Sequence, residues 1–181
     1  MKQYTVDDAI SLGIIDPDVH DTLLSDAQHL CERAGIKIHH LYVPLAEMEP
    51  TEVEVSFVGD YRRRTQTRRF GLIYQGAWPH ITQRLAVVCA AYIRNFVDAN
   101  LVTFDQALAE NYRKRSVLCI HDFWAGTPHE WKREKMISLL LEREAHELTT
   151  ILYVPVSGQE FAEAMGPAGV AVVQDFEVVK L

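Results

Sequence analysis

The stretch Phe70–Ala86, FGLIYQGAWPHITQRLA, constrains the fold of this chain more than any other. Gly71-Leu72-Ile73-Tyr74 is a short apolar run that suits a buried strand. Gly76 and Pro79 then break the pattern. A helix is predicted from about Thr82 to Val97. It carries Leu85, Val88, Tyr92 and Phe96 on one face, and Val87, Ala90, Ala91 and Ile93 over much of the remainder. A helix that is apolar nearly all round is a buried helix. Strand, turn and helix in this order are also the layout of a phosphate-binding loop.

The chemistry of such a loop is missing. The pattern G-x-x-x-x-G-K-[ST] laid on Gly76 puts Ile81 at the second glycine, Thr82 at the lysine and Gln83 at the hydroxyl residue. The stretch is therefore either scaffold or the remnant of a nucleotide site.

Strand and helix alternate from here on. Leu101–Phe104 reads as a strand and Asp105 to about Arg113 as a short helix. Ser116–Ile120 is a continuous apolar run ending in His121-Asp122. That suits a central parallel strand with polar residues at its carboxyl end, where open α/β sheets place their sites. Thr127-Pro128-His129-Glu130 is a helix start, and Trp131, Ile137, Leu140, Leu141 and Leu148 are its predicted buried side. Thr150–Val154 reads as a strand stopped by Pro155, and Ser157–Met165 as a helix ended by Gly166-Pro167. Val170–Val173 and Phe176–Val179 read as two last strands, paired as a hairpin. The alternation predicts a parallel sheet covered on both faces.

The residues before Phe70 have a different pattern. Thr5 and Asp8 mark a helix start, with Gly13 as its stop. Asp16-Pro17 opens an amphipathic helix predicted over 17–34, with Val19, Leu23, Ala27, Leu30 and Ala34 on one face and Gly35 as its stop. Ile36–Val43 reads as a strand. Glu52–Val58 alternates Val53, Val55 and Phe57 against Glu52, Glu54 and Ser56, which predicts a half-exposed strand. Residues 1–60 thus read as a small α+β lead-in, and residues 61–181 as an α/β core of three layers.

A chain of 181 residues is expected to form one compact domain. No apolar run reaches the ~18 residues that span a bilayer, and MKQYTVDD has no signal-peptide layout, so a cytoplasmic protein is expected. The net charge of −7 argues against a generally nucleic-acid-binding surface. Yet Arg62, Arg63, Arg64, Arg68 and Arg69 are clustered, with threonines and Gln66 between them. The segment is either a solvated connection or a contact for phosphate or an acidic protein surface, which the arginine fork pairs bidentately.

Cys31, Cys89 and Cys119 form no C-x-x-C and are expected to be reduced and buried. Cys119, His121, Asp122 and His129 are all zinc-ligand types. His121 and Asp122 are adjacent on one strand, point to opposite faces and are poorly placed as an acid/base pair. The alternative is a pair that caps the strand end. No metal and no cofactor is assigned. Trp78, Trp124 and Trp131 fall near the carboxyl edge of the predicted sheet, as core filling or as an interface.

Three segments in order resemble the AAA+ core of bacterial replicative-helicase loaders and the related transposition-helper ATPases, the DnaC/IstB type. FGLIYQGAWPHITQRLA is similar to that family's phosphate loop. SVLCIHDFWAGTPHEWKREKMISLLLERE is similar to its Walker B strand, loop and following helix. TTILYVPVSGQEFAEAMG is similar to its next strand and helix. The resemblance covers residues 69–181 and implies a P-loop-NTPase-like fold. It implies a replicative helicase or another AAA+ protein as partner, with homo- or hetero-oligomers as the form of contact; the lack of a long apolar run is what predicts no membrane association.

Measured against that family, the chemistry is depleted. Ile81, Thr82 and Gln83 replace the glycine, lysine and hydroxyl residue that contact phosphates and Mg²⁺. His121 replaces the metal-binding aspartate, with Asp122 in the second acidic place. Pro155 stands where a polar sensor is expected, and GPAGVAVV lacks the late arginine. The resemblance with these losses implies a pseudo-ATPase that acts by protein contact, as a loader or a regulator, with a mobile element as one origin. Two alternatives stay open. One is an enzyme with its site near Gly76, His80, His121 and Asp122; the other is a DNA-binding accessory protein using the Arg62–Arg69 cluster.

Overall fold

The computed structural model describes residues 4–124 and 126–180. The helices ahead of the sheet are α1 (Val6–Ser11), α2 (Pro17–Ser25), α3 (Ala27–Ala34), α4 (Glu52–Gly59) and, in the arginine segment, α5 (Arg64–Thr67). Five strands follow among the remaining helices: β1 (Gly71–Gln75), β2 (Ala99–Val102), β3 (Val117–Ile120), β4 (Thr149–Val154) and β5 (Glu177–Lys180). The helices between them are α6 (Ile81–Ile93), α7 (Phe104–Ala107), α8 (Glu110–Arg113), α9 (Glu130–Ala145) and α10 (Gly158–Val173). The strands form one parallel sheet in the order β2-β3-β4-β1-β5.

Side-chain alternation along the strands divides the core in two. Leu72, Tyr74, Val117, Cys119, Ile151 and Val179 pack with α6 on one face. Ile73, Leu118, Ile120, Leu152 and Val154 pack with residues of α9 and α10 on the other. The outer side of α6 is covered by the lead-in: Ala9, Leu23, Cys31, Leu41 and Phe57 join Leu85, Val88, Cys89 and Tyr92 in one cluster. This explains a helix apolar nearly all round. The α/β architecture of three layers, predicted from the alternation, is the one observed.

The lead-in is built differently from the expectation. Glu52–Val58 is not a strand but α4. The Thr51 hydroxyl caps it by accepting from the Glu54 N–H at 3.2 Å. Glu54 and Phe57, three residues apart on one helical face, are buried, while Val53 and Val55 are exposed. Ile36–Val43 is not a strand either. It holds a short 3-10 helix, Ile38–Tyr42, closed by the Lys37 N–H donating to His40 Nδ1 at 3.0 Å. The helix predicted over 17–34 is two, broken at Asp26, whose φ of −116° and ψ of 8° leave the helical region. The side chain of Val19 lies outside the described residues.

Details of the core also differ, and the one short helix expected from Asp105 to about Arg113 is two, α7 and α8. α6 stops at Ile93, and Phe96, at φ 57°, is exposed. On α9 the buried side is Met136, Leu139, Leu140 and Arg143, and Trp131 and Leu141 face solvent. The expected terminal hairpin is absent: Val170–Val173 completes α10, which bends at Gly166 (φ 68°, ψ 178°), and β5 pairs parallel to β1. Gly71 admits this pairing, because a Cβ there would lie 2.1 Å from the Phe176 ring.

Candidate functional site at the carboxyl edge of the sheet

β1 and β4 are neighbours whose chain leaves in opposite directions. β1 leads through α6 to β2 at one edge, and β4 leads through α10 past β1 to β5 at the other. The crevice beyond their carboxyl ends is the position at which open α/β sheets hold ligands. The loop 76–80 borders it.

This loop is closed by its own hydrogen bonds. Gly76, at φ 118°, donates its N–H to the Val154 carbonyl at 3.0 Å. The Trp78 N–H donates to the Tyr153 hydroxyl at 3.2 Å. Pro79 has no N–H to give. Ile81 is only 6% exposed and packs into the α6 side of the core, so the place of a phosphate loop's second glycine is filled by a branched side chain. Thr82 is exposed and Gln83 half-buried on the first turn of α6. A phosphate cradle depends on several backbone N–H groups converging on open space. Here two amides of the loop bond to β4.

Beside the loop lies a buried ion pair that local sequence patterns miss. Arg84 and Glu54 are 2% and 0% exposed. Both Nε and Nη2 of Arg84 donate to the Glu54 carboxylate, Nε at 3.0 Å. Its Nη1 donates to the Met48 carbonyl at 2.6 Å, and the Tyr74 hydroxyl donates to Glu54 Oε1 at 2.6 Å. The guanidinium sits 5.0 Å from the centre of the Trp78 ring. Burial raises the Tyr74 phenol well above its ordinary range, helped by the charge of Glu54. Burial pulls the Arg84 guanidinium down, and Glu54 more than offsets this, leaving it raised. The reading of Glu52–Val58 as a strand placed Glu54 among exposed residues. Arg84 within an apolar helix was the signal for a buried acid partner.

His121 and Asp122 follow β3, as predicted. Asp122 Oδ1 accepts from the Phe104 N–H at 2.5 Å and so caps the start of α7. Of the expected capping pair, only Asp122 makes such a bond among the described residues, and it does so on a neighbouring element beside that element's own Thr103 cap. No hydrogen bond or ion pair among the described residues joins Gly76, His80, His121 and Asp122 to one another. Nor does any group of three or more His, Cys, Asp or Glu among them suit a metal ion. The three cysteines are free and buried, and burial pushes the Cys31 thiol up to about 11. Trp124 is buried against Phe161 at 5.4 Å, Trp78 is half-buried, and Trp131 is exposed.

The structure does not bring the arginine segment to this edge. It precedes β1 and lies at the amino end of the sheet, where Arg64 Nε donates to the Glu147 carbonyl just ahead of β4 at 3.4 Å. Two of the five arginines hold the fold together. Arg69 clamps Glu177 of β5 and reaches Asp60 at 3.3 Å. Arg64 stacks on Tyr61 at 4.0 Å and donates to its carbonyl at 3.1 Å. Arg62, Arg63 and Arg68 are exposed. Arg63 has a weak contact with Asp60 at 3.9 Å, and Arg68 borders a cavity that also holds Glu144, Glu147 and Asp175.

No family model matches the chain, and no curated protein matches it by sequence. Among solved structures the chain is similar to the DnaC helicase loader, at 13% identity and a TM-score of 0.60, over 78% of this chain and 98% of that one. It is also similar to DnaI, at 15% identity and a TM-score of 0.56, over 80% of this chain and 90% of that one. At such identities the likeness is one of fold. The chain has a DnaC-like, P-loop-NTPase-like α/β core, as the three sequence segments implied. No helix among the described residues is long and apolar enough to cross a membrane.

Proposed function

We propose that this chain acts by protein contact, without hydrolysing ATP, on a replicative helicase or on an ATPase of its own fold class during DNA replication or transposition. The observation that carries this reading is the closed loop after β1. Ile81 is core, the Trp78 N–H is bonded to Tyr153, and the lysine and hydroxyl positions are Thr82 and Gln83. His121 and Pro155 deplete the metal and sensor positions further. A fold that keeps its scaffold while losing these groups retains surfaces on which a partner of related fold packs. The likeness to a helicase loader supports this choice of partner.

Calorimetry with ATP and Mg²⁺ tests the first half of the proposal. No binding heat is expected for the intact chain, and micromolar affinity would overturn the pseudo-ATPase reading. Affinity capture from the host with the purified chain tests the second half. Enrichment of a replicative helicase or an AAA+ ATPase is expected, and recovery of neither removes the partner assignment.

A further inference from the structure

At the end of α6 remote from the closed loop lies a cavity of about 380 Å³. That is within the size range of small-ligand pockets. Its walls include Leu45, Val58 and the rings of Tyr61 and Tyr92, which meet edge to face at 5.3 Å. Its charged lining consists of Arg62 and Arg94 and includes no aspartate or glutamate, in a chain where acids outnumber bases by 25 to 18. Two cations without an acid on the wall of a partly apolar cavity are a local reversal of the molecule's overall charge.

The two arginines differ in how they are held. Arg94 Nη1 donates to the Leu41 and Val43 carbonyls at 3.0 and 3.3 Å, which fixes the guanidinium in place. No carboxylate pairs with it among the described residues, and burial alone pulls it down to about 10. Arg62 is exposed at the rim and has no ion pair among the described residues. One fixed guanidinium on the wall and one solvent-exposed guanidinium at the rim suit two-sided capture of a carboxylate or phosphate group. The carbonyl end of α6 carries partial negative charge, which the two guanidiniums have to outweigh. Ala90, Tyr92 and Ile93 already accept from the N–H groups of Arg94, Asn95 and Phe96, each at 2.9 Å.

We propose that this cavity binds a small organic anion: a carboxylate or phosphate monoester held by Arg62 and Arg94, carried on an apolar, planar body seated against Tyr61, Leu45 and Val58. The site is separate from the loop after β1, so it stands or falls independently of the reading of that loop.

The full chain titrated with phenyl phosphate, benzoate, inorganic phosphate, benzyl alcohol and benzylamine tests it. Phenyl phosphate and benzoate are expected to bind. Inorganic phosphate and benzyl alcohol, each lacking one half of the chemistry, are expected to bind about tenfold more weakly or worse, and benzylamine not at all. Arg62→Ala, at an exposed position that the fold does not need, should weaken both aromatic anions about tenfold, while Arg133→Ala on α9 leaves them unchanged. The proposal is overturned if neither aromatic anion binds, if benzyl alcohol matches benzoate, if inorganic phosphate matches phenyl phosphate, or if Arg62→Ala has no effect.

Discussion

A cation inside a core helix needs a partner, and Arg84 has Glu54, 30 residues earlier in the chain. Breaking such a pair costs more than replacing it, because the survivor is left charged in the interior. Glu54→Gln preserves the shape and strands the guanidinium, so a loss of about 3–5 kcal/mol is expected in urea unfolding. Exchanging both partners for apolar residues, Glu54→Leu with Arg84→Met, should cost less than Glu54→Gln alone. A double variant as unstable as the single would show that the pair's own attraction, rather than the unpaired charge, dominates. At this scale the sequence was informative at Ile81, where a branched residue in a glycine position already argued against an open phosphate loop, and the structure buries that residue in the core. It was silent about Glu54, whose partner lies on another element.

The elements divide along the same line. Those of the core were legible because they carry a period of their own: the apolar runs of β1, β3 and β4. The lead-in misled because Val53, Val55 and Phe57 alternate with period two while tertiary contacts use the spacing of Glu54 and Phe57. Similarly, the turn at Ile38–Tyr42 depends on His40, which buries its ring and accepts from the Lys37 N–H. Burial, with the neighbouring His39, holds His40 down to about 4 from its ordinary 6.5. The unfolded chain therefore takes up this proton first as pH falls. Stability from the neutral ring is complete above 6.5 and is lost progressively down to about 4. His40→Asn, which keeps an acceptor and does not titrate, should flatten the fall of the urea midpoint across that range. An identical pH profile in the variant would remove His40 as the cause.

For the whole molecule, the arginine cluster is confined to one end of the sheet. The arginines left exposed, Arg62, Arg63 and Arg68, lie at the amino end of the sheet, away from the closed loop. A DNA contact would use that end. If the chain holds single-stranded DNA, replacing Arg63 and Arg68 by alanine should reduce the slope of log K against log salt by about 1.4, at ~0.7 per phosphate contact. Fluorescence anisotropy of a labelled oligonucleotide across a salt series measures it. An unchanged slope assigns these side chains to solvent or to a protein partner. This arrangement could not be read in the sequence, where five neighbouring arginines look equivalent and Arg69 is not marked as a clamp on β5.

The strand order also sets a timetable for synthesis. β1 is made before either of its sheet neighbours, since β4 and β5 both come later in the chain. As it leaves the ribosome it is an apolar strand with both edges open, the kind of segment that aggregates when left waiting. The helix that follows it is better provided for. Ala9, Leu23, Cys31, Leu41 and Phe57, which cover the outer side of α6, have already emerged. The lead-in thereby shelters α6 while the chain is still growing, and β5, the latest of the five strands of this sheet to be made, is the one that closes the exposed side of the first.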